Sequence, residues 1–127
     1  MIVLDASVII ALLDGQDAFH EQSRRLLDAL AGEEWVVNAM TLAEVMVGPA
    51  RAGQLEAVST AVDRMNLRTD PLDAASVPRL AQLRAATSLT VPDCCVLLTA
   101  EKLHCALATF DRRLAKAARA RGVEVHE

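Results

Sequence analysis

Short apolar runs that end at polar or turn-forming residues recur five times along the chain: MIVLD (1–5), EWVVN (34–38), LRTD (67–70), CALATF (105–110) and VEVH (123–126). Runs of this length with such endings read as strands. Between them the apolar residues return at helical spacing. Phe19, Leu26, Leu27 and Leu30 fall on one face, and Leu55, Val58, Val62 and Met65 on the next, with Gly32 and Gly53 as breaks. Pro78 is unfavourable inside a helix, so the segment 73–87 is expected to begin its helix at Ser76 as the N-cap. Strands alternating with helices predict an α/β fold: a parallel sheet covered on both sides, with right-handed crossovers. No internal repeat, linker or low-complexity segment interrupts the pattern, so 1–127 reads as a single domain.

Composition narrows this picture. Of 127 residues 53% are apolar, enough for a packed core, but the only aromatic residues are Phe19, Trp35 and Phe110. The core must therefore come from Leu, Val, Ile and Ala, a mixture suited to helices packed closely against a small sheet. The longest apolar runs, such as 8–13, are too short to span a membrane, and the N-terminus lacks the features of a signal peptide. The expectation is a cytoplasmic, soluble protein. Cys94, Cys95 and Cys105 are odd in number and include an adjacent pair, which fits neither a disulfide framework nor zinc-ligand spacing, so they read as small reduced core residues. A net charge of −4 excludes a surface that attracts nucleic acid everywhere. The segment RRLAKAARAR (112–121) nevertheless carries Arg112, Arg113, Lys116, Arg119 and Arg121 with no acid. It reads either as a solvated helix face whose cations complement the dipole or as a ridge that tracks phosphates.

The acids carry the candidate chemistry. Asp5 directly follows four apolar residues, and a buried carboxylate is costly without a partner. In an open parallel sheet function collects at the carboxyl ends of strands, where Asp5 ends the first run and Asp111 stands just beyond the fourth. Glu44 follows Thr41 by three residues and Asp93 follows Thr90 by three, which places both on first helical turns. Each acid has a local explanation: Thr41 with Glu44 and Thr90 with Asp93 match capping boxes, and Asp5 and Asp111 suit N-caps. Together they require more. Four carboxylates at four strand–helix junctions repel one another unless a cation lies among them, and an all-oxygen donor set suits Mg²⁺ or Mn²⁺.

MIVLDASVII (1–10), NAMTLAEVMVGPAR (38–51), VPDCCVLLTAEKLHCALATFDRRL (91–114) and GVEV (122–125) also resemble a family, the PIN-domain ribonucleases, and among them the VapC-like toxins of toxin–antitoxin pairs. The most specific parts are the Asp-x-Ser opening, Glu44 with Gly48, and the Leu-Ala-Thr-x-Asp that ends at Asp111. The resemblance implies an α/β/α sandwich with a five-stranded parallel sheet. It also implies an active site of Asp5, Glu44, Asp93 and Asp111 binding Mg²⁺, for which Mn²⁺ substitutes, with Ser7 and Thr109 as polar supports. The implied activity is metal-dependent endoribonuclease cleavage of RNA leaving 5′-phosphate and 3′-hydroxyl ends. The implied partners are a second copy in a homodimer and an antitoxin whose C-terminal segment blocks the acidic crevice. The chain departs from the family pattern at Cys94 and Cys95, where small residues are usual, and in AATSLTVPD (85–93), which lacks the common glycine.

On the same reading Arg112 and Arg113 are the candidate RNA phosphate contacts, and with so few aromatics base stacking is expected to contribute little. His20, His104 and His126 lie outside every motif, which argues against a two-histidine ribonuclease. The alternatives are a housekeeping PIN-domain RNA-processing nuclease, a catalytically silent binding module, and a receiver-like metal-binding signalling domain. A receiver, like a phosphatase with an Asp-x-Asp nucleophile, needs a further acid beside Asp5, where this chain has Ala6 and Ser7.

Overall fold

All five predicted strands are present and join one parallel sheet. In the structure, a computed structural model that describes all 127 residues, the strands are β1 (Ile2–Leu4), β2 (Trp35–Asn38), β3 (Arg68–Asp70), β4 (Ala106–Ala108) and β5 (Val125–His126), in spatial order β3-β2-β1-β4-β5. The chain builds outward from β1 to β3, then returns to the other side of β1. The order thus reverses between β1 and β4, where open α/β sheets form a crevice beyond their strand ends.

Side chains of a strand point alternately to its two faces, and here both faces are buried. Ile2, Leu4, Val37 and Ala108 enter one core with Val8 and Ile9 of α1 (Ala6–Leu13), Leu27 of α2 (His20–Ala29), Val45 of α3 (Ala39–Arg51) and Val62 of α4 (Leu55–Arg64). Val3, Val36 and Leu107 enter the opposite core with Leu83 of α5 (Val77–Ala86), Leu97 of α6 (Val91–Leu103) and Leu114 of α7 (Arg112–Ala120). The result is the expected α/β/α sandwich. Cys94 and Cys95 are fully buried and all three cysteines are free. No helix is long and apolar enough to cross a membrane.

Two details differ from the periodic reading. Phe19 does not share the buried face of α2: it precedes the helix, is 45% exposed and stacks on Phe110. At α5, Ser76 holds the N-cap position as expected, with Pro78 tolerated in the first turn, but its hydroxyl donates to Asp73 rather than capping the helix.

Candidate active site

Asp5 leaves β1 at the centre of the sheet and is 4% exposed. It occupies the N-cap position of α1, yet its side chain makes no capping bond. Instead Ser7 Oγ and Thr109 Oγ1 both donate to Asp5 Oδ2, at 2.6 and 2.7 Å. Each hydroxyl has one proton to give and lone pairs to spare. Those lone pairs accept the Phe110 amide on Ser7 (3.0 Å) and the Asp111 amide on Thr109 (2.9 Å). The two supports expected beside Asp5 therefore also tie down the turn between β4 and α7.

Asp111 fills the role that Asp5 declines. It caps α7, with Oδ1 accepting from the amides of Arg113 (2.8 Å) and Leu114 (3.2 Å). Thr90 caps α6 through the Asp93 amide at 3.4 Å, so the second predicted capping box forms and puts Asp93 on the first turn. The first does not form. Helix α3 begins earlier than expected because Asn38, ending β2, accepts from the Met40 amide at 2.8 Å. Asn is among the strongest N-cap residues, and its position at the strand end displaces Thr41 into the helix interior. Thr41 is fully buried with its hydroxyl unpartnered, and Glu44 lies on the second turn rather than the first.

The electrostatics link these separate positions. Burial pushes the Glu44 carboxyl above the ordinary glutamate value, and the charges of Asp5 and Asp93 add to the rise. Asp93 is raised in the same way, by burial first, then by Asp5 and Asp111 against the lowering effect of its bonds to Thr90. Glu44 thus feels Asp5 and Asp93, and Asp93 feels Asp5 and Asp111, while no Lys or Arg is among the residues that shift these two. Burial also pushes the Cys95 thiol up to about 11, with Cys94 and Glu44 reinforcing it, so this sulfur stays protonated and is no nucleophile. No three His, Cys, Asp or Glu side chains converge closely enough to cage an ion as they stand. Mutually repelling oxygen donors that are spread apart fit a hard cation that keeps much of its water, the habit of Mg²⁺.

The basic segment divides in two. Arg119, in the last turn of α7, pairs with Glu127 at 3.0 Å. Arg112 and Arg113 are exposed and stand in the first turn, the helix end at which cations are unfavourable. The dipole accounts for the former and leaves the latter pair unexplained. The histidines engage elsewhere: His20 Nδ1 lies 2.8 Å from the Ala11 carbonyl and His126 lies 3.2 Å from Glu124.

Sequence reasoning overlooked a second polar cluster on the same sheet. Asp70 ends β3, 6% exposed, with Lys102 Nζ 2.8 Å from Oδ1 and Thr99 Oγ1 3.3 Å from Oδ2. Asn38 Nδ2 donates to Thr99 at 3.0 Å while Asn38 Oδ1 caps α3. The strand-end rule that selected Asp5 also selects Asp70.

Comparison with known proteins bears on the fold and the family. No match was found among curated protein sequences. Among solved structures, the chain resembles FitAcB from Neisseria gonorrhoeae at 25% identity, covering 100% of this chain and 97% of that one, with a TM-score of 0.77. It resembles Mycobacterium tuberculosis VapC20, described as a sarcin-ricin loop cleaving toxin, at 19% identity over 92% and 95% of the two chains, with a TM-score of 0.76. A toxin–antitoxin complex from Klebsiella pneumoniae matches at 22% identity, 91% of each chain and a TM-score of 0.75. The low-identity matches share the fold. The sequence itself goes further: residues 2–120, spanning the sheet from β1 through β4 and all four acids, match the PIN domain, so the chain belongs to the PIN domain family.

Proposed function

We propose that the chain is a Mg²⁺-dependent endoribonuclease that serves as the toxin of a toxin–antitoxin pair. The observation that supports this most is the charge coupling of Asp5, Glu44, Asp93 and Asp111, in which two carboxyls are raised by burial and by their neighbours with no internal cation to offset them. Such a group is completed by a divalent cation. When bound, Mg²⁺ supplies Lewis-acid polarisation of the scissile phosphate and a water of lowered pKa. Asp5, fixed by Ser7 and Thr109, and Asp93, fixed on the first turn of α6, are the proposed direct ligands. Glu44 orients the attacking water, and Asp111 contributes the oxygen that its helix cap leaves free. Arg112 and Arg113 hold RNA phosphates.

The toxin assignment draws on the likeness to VapC20 and to the Klebsiella complex. The proposed antitoxin segment lies in the cleft lined by Ile10, Leu13, Val45, Pro49 and Val58, with Glu44 at its edge. A homodimer completes the proposed assembly.

Purified protein incubated with labelled RNA tests the reading. Cleavage should require Mg²⁺ or Mn²⁺, stop with chelator, and disappear in Asp93→Asn, which keeps the size of the side chain and removes the charge the metal needs. Undiminished cutting by the parent in excess EDTA would remove the carboxylate mechanism.

A further inference from the structure

Two of the three aromatic side chains stack on each other, one of them at the residue before Asp111. The rings of Phe19 and Phe110 stack with centroids 5.1 Å apart and planes inclined by 13°. Burial does not explain the pair, because Phe19 remains 45% exposed. Phe110 packs its ring against the core on the α1 side of the sheet, while its amide is held by Ser7 Oγ at 3.0 Å, the hydroxyl that donates to Asp5. The stack is therefore anchored by the same hydrogen bonds that fix the carboxylate cluster. Asp111 follows it immediately, and next come Arg112 and Arg113, exposed and standing at the helix end where their charge costs stability.

An exposed π-face stacked on the residue that precedes Asp111, Arg112 and Arg113 matches the chemistry of a nucleotide, with its planar base and its phosphates. We propose that Phe19 and Phe110 form a stacking platform that takes one nucleobase of the RNA next to the cleavage site. Phe110 is the fixed inner ring and Phe19 the outer ring on which the base lies. This reverses the expectation that scarce aromatics leave stacking without a role: what matters is that both phenylalanines are in one place. An apolar segment of a protein partner is the competing occupant, but it is better served by the cleft of Ile10, Val45 and Val58 than by a stacked pair whose inner ring is followed in sequence by Asp111, Arg112 and Arg113.

The inference rests on the nuclease reading, and two measurements separate them. In the first, single-stranded RNA carrying 2-aminopurine at successive positions is titrated with protein in Ca²⁺, and base stacking is read as quenching. Quenching at one position should vanish in Phe19→Leu and persist in Phe19→Trp. In the second, steady-state cleavage in Mg²⁺ should show KM raised about tenfold in Phe19→Leu with kcat little changed, as expected for loss of one stacked base. An abasic nucleotide at the quenched position should cause the same loss, and the two losses should not add. If the parent cleaves RNA but Phe19→Leu keeps its KM and its quenching, the platform is wrong and the nuclease reading stands. If Phe19→Leu instead alters sedimentation or partner binding with RNA affinity intact, the face is a protein interface and the platform is likewise wrong. Quenching that depends on Phe19 in a protein that cuts no RNA would keep the platform and remove the nuclease.

Discussion

Asp5 and Asp70 occupy equivalent places, each at the carboxyl end of a central or edge strand and each almost fully buried, yet their surroundings are opposite. Asp70 meets the Lys102 ammonium at 2.8 Å, so its charge is balanced within the chain. Asp5 meets only neutral hydroxyls, with Glu44 and Asp93 close enough to feel its charge. A buried carboxylate balanced from within serves structure, and one surrounded by its own kind is left for an external cation. The chemistry of the partner, not the strand-end position, separates the two.

The largest test removes the open charge. Asp5→Asn should leave the metal-free protein as stable as the parent or more so, while abolishing most of the Mg²⁺-induced stabilisation, about 2.7 kcal/mol for the parent at a hundred times Kd. Thermal melts with and without Mg²⁺ measure this, and equal metal-induced shifts in both proteins would show that Asp5 is no ligand. Next is the closed charge. Lys102→Met strands Asp70 and should cost about 2 kcal/mol in denaturant unfolding, less than a fully buried pair because Lys102 is partly exposed. Adding Asp70→Asn should recover most of it, since no charge is then stranded. A Lys102→Met protein as stable as the parent would erase the contrast between the clusters.

A smaller effect sharpens the electrostatic difference. Glu44 has a higher pKa folded than unfolded, so it takes up a proton on folding; the stability present below the ordinary glutamate value is lost as pH rises through the folded-state value. In EDTA the parent should therefore lose stability across that window and Glu44→Gln should lose less. Parallel pH profiles would mean that neither burial nor the neighbouring acids raise the Glu44 carboxyl. Smallest is Thr41→Val, which replaces an unpartnered buried hydroxyl and should stabilise the fold by about 1 kcal/mol in the same unfolding assay. A loss of stability would reveal a partner for that hydroxyl.

Much of the architecture was legible because it is written in local pattern. The three central strands, β2, β1 and β4, are short apolar runs buried on both faces, and such runs identify themselves. Thr90 with Asp93 was legible for the same reason, being a contact between near neighbours. Local pattern misled at Thr41 and Glu44, where the same spacing occurs but Asn38, read only as a strand end, starts the helix sooner. Lys102 lies far along the chain from Asp70, and Phe19 farther still from Phe110, so no short window of sequence contains either pair. The division of labour among the acids was hidden likewise: whether Asp5 caps a helix or accepts hydroxyls depends on Thr109, 104 residues away.

That separation bears on when the site comes into being. The bonds that fix Asp5 join its segment to Thr109, Phe110 and Asp111, so loop closure across nearly the entire chain precedes an ordered carboxylate cluster. During synthesis β1 is made long before β4, its neighbour in the sheet and the fourth strand in chain order. A ribosome-bound chain that has not yet released residues 106–111 therefore holds Asp5 without its hydroxyls and without Asp111. Products that stop short of residue 111 therefore lack an assembled carboxylate centre.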